Sequence, residues 1–222
     1  LYIAHRDKVL PALESETRVL NDVFGYRARM ISRDEIHSDF VNDAEARGAM
    51  YEPDGMGIHA AKLAFGYLRL ARRLGATVHT SSPVLDCTAR GGMHYLRTPG
   101  GTVRARAVCI ATAGYTSPGM NALTKHRLMP ILSNSIVTRP LTASEQEALN
   151  FKARIPLTDT RTLRHYYRML PDGRVQIGSR SAITGRDASN PKHLALLLEG
   201  LYRKFPILRG IEIDYSWWGW VD

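Results

Sequence analysis

The stretch that decides the fold is Ala105-Arg106-Ala107-Val108-Cys109-Ile110-Ala111-Thr112-Ala113-Gly114-Tyr115. Small and β-branched apolar residues run through it and stop at Ala-Thr-Ala-Gly, which is typical of a strand buried inside a parallel sheet. Ligands of open α/β sheets bind at the carboxyl ends of such strands, where a larger side chain would occupy the ligand's space. The stretch therefore predicts a buried strand that ends beside a flat cofactor.

The residues before this strand alternate helix and strand patterns. Apolar side chains recur at helical spacing through residues 58–74 and Gly75 follows as a C-terminal stop, so we predict a helix there. Strands are predicted at residues 76–80 and 83–88, followed by a hairpin through residues 98–101. This alternation is typical of an α/β domain.

The first fifty residues are more polar, and their pattern predicts helices at residues 6–24 and 32–46. Ser32 is placed to cap the first turn of the second helix, and Glu35 to reach back to it as in a capping box. We interpret residues 1–50 as a helical segment.

After Gly114 the pattern changes to strands of period two. Apolar and polar residues alternate in residues 132–138, 163–170 and 174–178, with Pro171-Asp172-Gly173 as a tight turn. The other elements predicted here are two helices and a final strand, at residues 142–149, 191–205 and 211–221. The fold class is therefore α/β followed by α+β, the second part being an antiparallel sheet with flanking helices.

Composition and charge limit the class of protein. The chain carries a formal charge of +9, but its Lys and Arg residues are scattered along the sequence, so specific nucleic-acid binding is disfavoured. The positive electrostatic field of the chain favours anionic substrates instead. An apolar run of about eighteen residues and a signal peptide are both lacking, so we expect no membrane span and a cytoplasmic location.

Candidate metal and redox groups are sparse in the sequence. Cys87 and Cys109 fall in predicted strands, and we expect both thiols to be reduced, buried and inert. The histidines and cysteines have no metal-ligand spacing, so no metal site is predicted. Arg203 and Lys204 end a predicted helix and are expected to be solvated.

Gly55-Met56-Gly57-Ile58-His59-Ala60 matches the pattern G-x-G-x-x-A and opens a helix. A dinucleotide fingerprint needs a buried strand directly before its first glycine. Tyr51-Glu52-Pro53-Asp54 precedes it here, and that segment reads as a turn. We therefore interpret the motif as a glycine-rich entry to a helix whose N-terminus lies near the ring end of the cofactor.

Taken in order, these segments resemble the D-amino-acid-oxidase-like family of FAD-dependent oxidoreductases, and within it the gamma-glutamylputrescine oxidoreductase-like subgroup. The resemblance covers residues 51–222. It implies part of an FAD-binding Rossmann-like domain at residues 51–130 and a substrate-binding domain at residues 131–222. The segments that carry it are Ile58-His59, Val84, residues 111–115, Met129-Pro130, and residues 137–141 and 166–178.

The resemblance implies FAD as the cofactor and oxidation of a primary or secondary amine or an amino acid. A hydride passes to the flavin, and water then hydrolyses the imine. The residues implied to contact the cofactor are His59, Val84, Ala111, Thr112, Ala113 and Gly114.

Tyr166, Arg168 and Arg180 are the residues expected to bind the small-molecule substrate. Tyr166 and Arg168 alternate along one strand and so share a face, and a guanidinium clamps a carboxylate with two charge-assisted hydrogen bonds. No separate catalytic base is assigned. The alternative for the arginines is a solvated cross-strand pair, and for His59 it is a contact with backbone alone.

The chain departs from the family pattern at both ends. The first strand with its G-x-G-x-x-G loop and ribose-binding acidic residue is lacking, as is the segment that normally follows Trp217-Trp218-Gly219-Trp220. We therefore expect an internal piece of a larger fold that holds FAD weakly. A non-catalytic binding or assembly module that keeps only the substrate domain is the alternative, and the sequence leaves the oligomeric state open.

Overall fold

The computed structural model describes residues 1–117, 122, 124, 126–152, 155–182 and 189–221. The chain divides into two compact units. Leu1–Gly57 and Leu132–Gly219 form the first, and Ile58–Ile131 and Trp220–Asp222 form the second. Residues 1–57 therefore share a unit with the C-terminal half, which corrects the separate segment predicted at residues 1–50.

Strands outnumber helices among the described residues. The strands are β1 (Tyr2–Ala4), β2 (Arg29–Ser32), β3 (Gly48–Tyr51), β4 (Asp86–Arg90), β5 (Met93–Thr98), β6 (Gly101–Ala105), β7 (Ile131–Thr138), β8 (Leu157–Asp159), β9 (Tyr166–Met169), β10 (Val175–Ala182) and β11 (Ile213–Val221). The α-helices are α1 (Leu10–Phe24), α2 (Arg33–Asp39), α3 (Ala60–Arg73), α4 (Ala143–Leu149) and α5 (Pro191–Lys204).

An eight-stranded mixed sheet organises the first unit, in the order β11-β7-β10-β9-β8-β1-β3-β2. β1 and β8 are parallel. The pairs β1–β3, β2–β3, β8–β9, β9–β10 and β7–β10 are antiparallel. The second unit has a separate antiparallel sheet, β4-β5-β6. The mixed α/β class with an antiparallel sheet and flanking helices is confirmed.

Helices pack on both faces of the large sheet. Ile3 belongs to the main core together with Leu197 and Leu201 of α5, whereas its neighbour Ala4 packs in a second cluster with Leu13 of α1. Because successive strand residues point to opposite faces, α1 and α5 lie on opposite sides of the sheet. Full burial of an aliphatic side chain contributes about 1.5–3 kcal/mol, so the main core, which contains Tyr167, Val175 and Ile177, stabilises the strands β9 and β10 that carry the candidate site.

The elements predicted in the C-terminal half are confirmed with small changes of bounds. The period-two segments form β7, β9, β10 and β11, and the two predicted helices are α4 and α5. Gly173 adopts a φ of 78° in the turn between β9 and β10, a conformation that glycine reaches without strain. The turn residues were therefore sufficient to predict this hairpin.

The first fifty residues contain strands as well as helices. Ser32 does cap α2 by accepting a hydrogen bond of 3.1 Å from the Glu35 backbone N–H, but the Glu35 carboxylate pairs with Arg29 at 2.6 Å. The strands β1, β2 and β3 are only three or four residues long. Segments this short carry too few residues to show a period of two, which is why the helical prediction missed them.

The second unit also differs from the prediction. The predicted helix is α3 and the hairpin is formed by β5 and β6, but residues 76–80 and 107–112 have no regular secondary structure. β4 begins at Asp86, inside the predicted strand 83–88. A strand requires a hydrogen-bonded neighbour, and residues 107–112 have none within the described part of the chain. The strand prediction there relied on apolar composition alone and is wrong.

Candidate functional site

The large sheet brings Tyr166, Arg168 and Arg180 to one face. Tyr166 and Arg168 alternate on β9, and they pair with Gly178 and Gln176 of β10. Arg180 lies two residues beyond Gly178, so its side chain falls on the same face. Tyr166 and Arg168 are half-buried and Arg180 is exposed. The predicted substrate-binding residues therefore share one surface.

Arg168 makes the cross-strand contact that the sequence left as an alternative to substrate binding. Its Nε donates to Gln176 Oε1 at 3.1 Å. A guanidinium carries five N–H donors in a planar fork. The contact fixes the orientation of the side chain along the strand pair.

Behind this face, the buried side of the sheet holds a cluster of charges that the sequence did not predict. Lys204 is completely buried, with Nζ 3.0 Å from Asp159 Oδ2, 3.4 Å from Asp43 Oδ2 and 3.5 Å from Glu45 Oε2. Arg161 pairs with both Asp159 and Glu45. The expectation that Lys204 is solvated is therefore wrong.

This environment keeps the Asp159 carboxylate ionised. Burial raises the pKa of Asp159, but the contact with His165 and the charges of Lys204 and Arg161 outweigh burial and hold that pKa well below its usual range. Burial also raises the pKa of Tyr167 well above its usual value, so its phenol stays protonated and donates to Asp43. Tyr167 follows Tyr166 in β9, which links the cluster to the candidate substrate face.

A cavity of about 330 Å³ lies within the second unit. Val84 and Thr112, two of the predicted cofactor contacts, line it. Most of its other walls are apolar, formed by Pro83, Leu96, Val108 and Ile110. The volume of the cavity and its apolar walls are typical of a small-ligand pocket.

The two cysteines both line this cavity. Cys87 is half-buried and Cys109 is exposed, so the expectation that both thiols are buried is wrong. The strand predicted around Cys109 is not formed, and its side chain is consequently not covered by a neighbouring strand.

Gly114 is buried, and its close neighbours belong to the same chain. A Cβ on this residue would lie 2.9 Å from Trp220 Cβ and 3.3 Å from Val221 N. The Trp220 backbone N–H also donates to the Tyr115 hydroxyl at 3.1 Å. Packing against residues 220–221 therefore accounts for glycine here, and substituting Gly114 with leucine would disturb this packing whether or not a cofactor is bound.

The remaining predicted cofactor contacts lie at the surface. Ala111 and Ala113 are exposed, and Ala113 has a positive φ of 44° at the start of a short 3-10 helix. His59 is the N-cap of α3, where its Nδ1 accepts the Lys62 backbone N–H at 3.3 Å. His59 thus makes the backbone contact that the sequence left as the alternative.

Within the described ranges, His, Cys, Asp and Glu do not form a group of three or more able to hold a metal ion. Of the helices that the structure describes, none is long and apolar enough to cross a membrane.

Comparison with known proteins gives a consistent family match. A family model described as FAD dependent oxidoreductase (DAO) matches residues 1–222. Gamma-glutamylputrescine oxidoreductase of Escherichia coli is 27% identical over 219 residues, which cover 99% of this chain and 50% of that protein. A probable oxidoreductase of Rhizobium meliloti is 30% identical, covering 74% of this chain and 37% of its own length.

Solved structures share the fold. Glycine oxidase from Geobacillus kaustophilus superposes with a TM-score of 0.81 at 21% identity, over 99% of this chain and 57% of that one. L-proline dehydrogenase from P. horikoshii superposes with a TM-score of 0.80 at 15% identity, over 99% of this chain and 59% of that one. The chain spans about half the length of the curated relatives it matches.

Proposed function

Because the chain belongs to the DAO family of FAD-dependent oxidoreductases, we propose that it supplies substrate-binding and cofactor-contacting parts of an enzyme that oxidises a small amine or amino acid. The placement of Tyr166, Arg168 and Arg180 on one sheet face carries this proposal. The related proteins named for amine and amino-acid substrates, including gamma-glutamylputrescine oxidoreductase and glycine oxidase, support the substrate class.

The cavity of the second unit fits one aromatic end of FAD. It is walled mainly by apolar side chains, and an apolar slot suits a flat ring rather than a phosphate. Val84 and Thr112 are the residues that would hold the ring there. When bound, FAD supplies the hydride acceptor for the carbon next to the amine.

The sheet face has the chemistry to orient the substrate. Arg168 and Arg180 carry guanidinium groups suited to a carboxylate, and the Tyr166 hydroxyl adds a neutral hydrogen-bonding group. Substrate with an anionic end would be held by that end, which leaves its amine to face the reaction. The net charge of +9 increases the local concentration of such anions.

Replacing Arg168 with alanine tests this assignment. We expect the flavin content to stay unchanged and KM for the amine substrate to rise by about ten- to a hundredfold, since losing a charged hydrogen bond costs about 1.5–3 kcal/mol. Flavin absorbance and steady-state amine oxidation of the complete, FAD-loaded enzyme measure the two quantities.

The matched control is Arg33→Ala, which removes an exposed arginine from α2 and should leave KM unchanged. Unchanged KM in Arg168→Ala would assign that residue to the cross-strand pairing with Gln176 instead of substrate binding. A complete protein that holds no flavin and oxidises no amine or amino acid would favour the non-catalytic binding module instead.

A further inference from the structure

A smaller cavity, of about 230 Å³, lies beside β1 and β8 in the first unit. Its walls include Tyr2 of β1, Thr158 of β8, Tyr51 at the end of β3, and Glu52 and Met56 from the segment that follows. We call this cavity the Glu52 pocket. Its volume is below the usual range for a whole drug-sized ligand, so it suits one end of a longer molecule.

The Glu52 pocket borders the candidate substrate face. Thr158 pairs with Tyr166 on one side and with Tyr2 on the other. Because directly paired residues point to the same face of a sheet, Tyr166, Thr158 and Tyr2 form one row across β9, β8 and β1. Neighbouring strands are about 4.8 Å apart, so the row measures about 10 Å from Tyr166 to Tyr2. A ligand that reaches both places must be an extended molecule.

The walls of the Glu52 pocket offer acceptors to a cation. Glu52 is half-buried, and among the lining residues that the structure describes no Lys, Arg or His accompanies it. Leu1 also lines the pocket, and its ammonium group donates to the Pro156 carbonyl at 3.2 Å. Burial lowers the pKa of that ammonium group, and the charge of Glu52 raises it. The Glu52 carboxylate thus stabilises an ammonium group at this wall.

The aromatic rings of the Glu52 pocket also favour cations. Arg29 lies 5.3 Å from the centre of the Tyr51 ring, and Arg164 lies 5.4 Å from that of Tyr2. Such distances are typical of attraction between a cation and a ring face. Neither arginine lines the pocket, so Glu52 is the charged side chain nearest to a ligand inside it.

We propose that the Glu52 pocket binds a distal ammonium group of the substrate, so that the preferred substrates carry a second, cationic end. The inference rests on the proposed function, because it needs a substrate on the face of Arg168 and Arg180. The alkyl chain of that substrate would follow the row from Tyr166 to Tyr2. A compound that ends in a methyl group leaves the half-buried Glu52 carboxylate without its cation, and is therefore bound less tightly.

Methionine methyl resonances test the binding without any reaction. In this chain labelled with ε-¹³C-methionine, the Met56 signal is assigned by its loss in Met56→Leu. N-(5-aminopentyl)glycine should shift the signal with a Kd about three- to tenfold lower than that of N-hexylglycine, in which a methyl group replaces the distal ammonium. Met93 lies on β5 in the second unit, and its signal should not move with either compound.

Variants at Glu52 separate its charge from the shape of the pocket. Glu52→Gln should raise the Kd of N-(5-aminopentyl)glycine by about three- to tenfold, and Glu52→Asp, which keeps the charge, should raise it less. Glu14→Gln, an exposed change on α1 of the same unit, is the matched control and should leave the Kd unchanged. In the complete, FAD-loaded enzyme, Glu52→Gln should bring the KM values of the two compounds closer together.

Three results would overturn the proposal: a Met56 signal that N-(5-aminopentyl)glycine does not shift, equal Kd values for the two compounds in the wild type, and an unchanged Kd in Glu52→Gln. Failure of the proposed function is distinguishable from these. The complete wild-type enzyme would then oxidise neither compound, while the Met56 shifts would still report whether the Glu52 pocket selects an ammonium group.

Discussion

Lys204 places a fully buried ammonium group among three carboxylates, those of Asp43, Glu45 and Asp159. Removing one partner of a buried ion network leaves the opposite charges without compensation, which costs about 3–5 kcal/mol. We expect Lys204→Met to lower the free energy of unfolding by this amount. Urea denaturation followed by circular dichroism measures the change.

The control for this residue is Lys8→Met, which removes an exposed lysine from the same unit and should change the free energy of unfolding by less than about 0.5 kcal/mol. Equal stability of Lys204→Met and the wild type would mean that the buried carboxylates are neutralised by Arg161 without help from Lys204.

Among the secondary-structure elements, α4 has the most complete N-terminal capping. Thr142 accepts the Glu145 backbone N–H, and the Glu145 carboxylate accepts the Thr142 N–H at 2.7 Å. Glu145 also forms two hydrogen bonds with the Arg139 guanidinium, both of 2.8 Å. These hydrogen bonds, that of Arg139 above all, lower the pKa of Glu145 from 4.5 to about 2.

The lowered pKa predicts a dependence of stability on acid pH. The unfolded chain binds the proton more readily than the folded one, so the contribution of Glu145 is complete above pH 4.5 and is lost as pH falls toward 2. We expect Glu145→Gln to flatten the fall in the free energy of unfolding over this interval. Chemical denaturation at several pH values measures the slope.

Glu16→Gln, an exposed change on α1, is the control and should leave the slope unchanged. The contribution of Asp159 to the free energy of unfolding is also lost as pH falls, because the pKa of Asp159 is likewise held below its usual range. A residual slope is therefore expected in Glu145→Gln. A slope equal to that of the wild type would show that the capping box is not formed in solution.

At the scale of the whole molecule, the two units differ in how much they bury. Among the described residues of the second unit only Gly114 is buried, and α3 exposes Phe65 by 60%, Tyr67 by 64% and Leu70 by 41%. The first unit buries an extended core. Local opening is easiest where few apolar contacts are made, so the second unit should open more readily than the first.

Hydrogen exchange measured by mass spectrometry on this chain tests the difference. We expect the amides of α3 to exchange faster than those of α5 by at least about tenfold, because opening free energies range from near zero up to the global value. The two helices are matched, since each has fourteen residues. Similar protection of α3 and α5 would contradict the expected difference.

Local patterns in the sequence were sufficient for the hairpin of β9 and β10, for α4 and α5, and for the shared face of Tyr166 and Arg168. Each depends on turn residues, caps or a period of two within about a dozen residues. The family resemblance added the cofactor and the class of chemistry. The hairpin, the two helices and the shared face follow from residues that are close together in the chain.

The tertiary structure alone decided the pairing of β1 with β8 and the charge cluster around Lys204. Tyr2 pairs with Thr158, and Asp43 meets Lys204, from positions far apart in the sequence. It also placed Tyr166 in one row with Thr158 and Tyr2. Strand pairing and burial depend on which distant segments of the chain come together. The pattern of neighbouring residues does not specify which distant segment a strand will pair with.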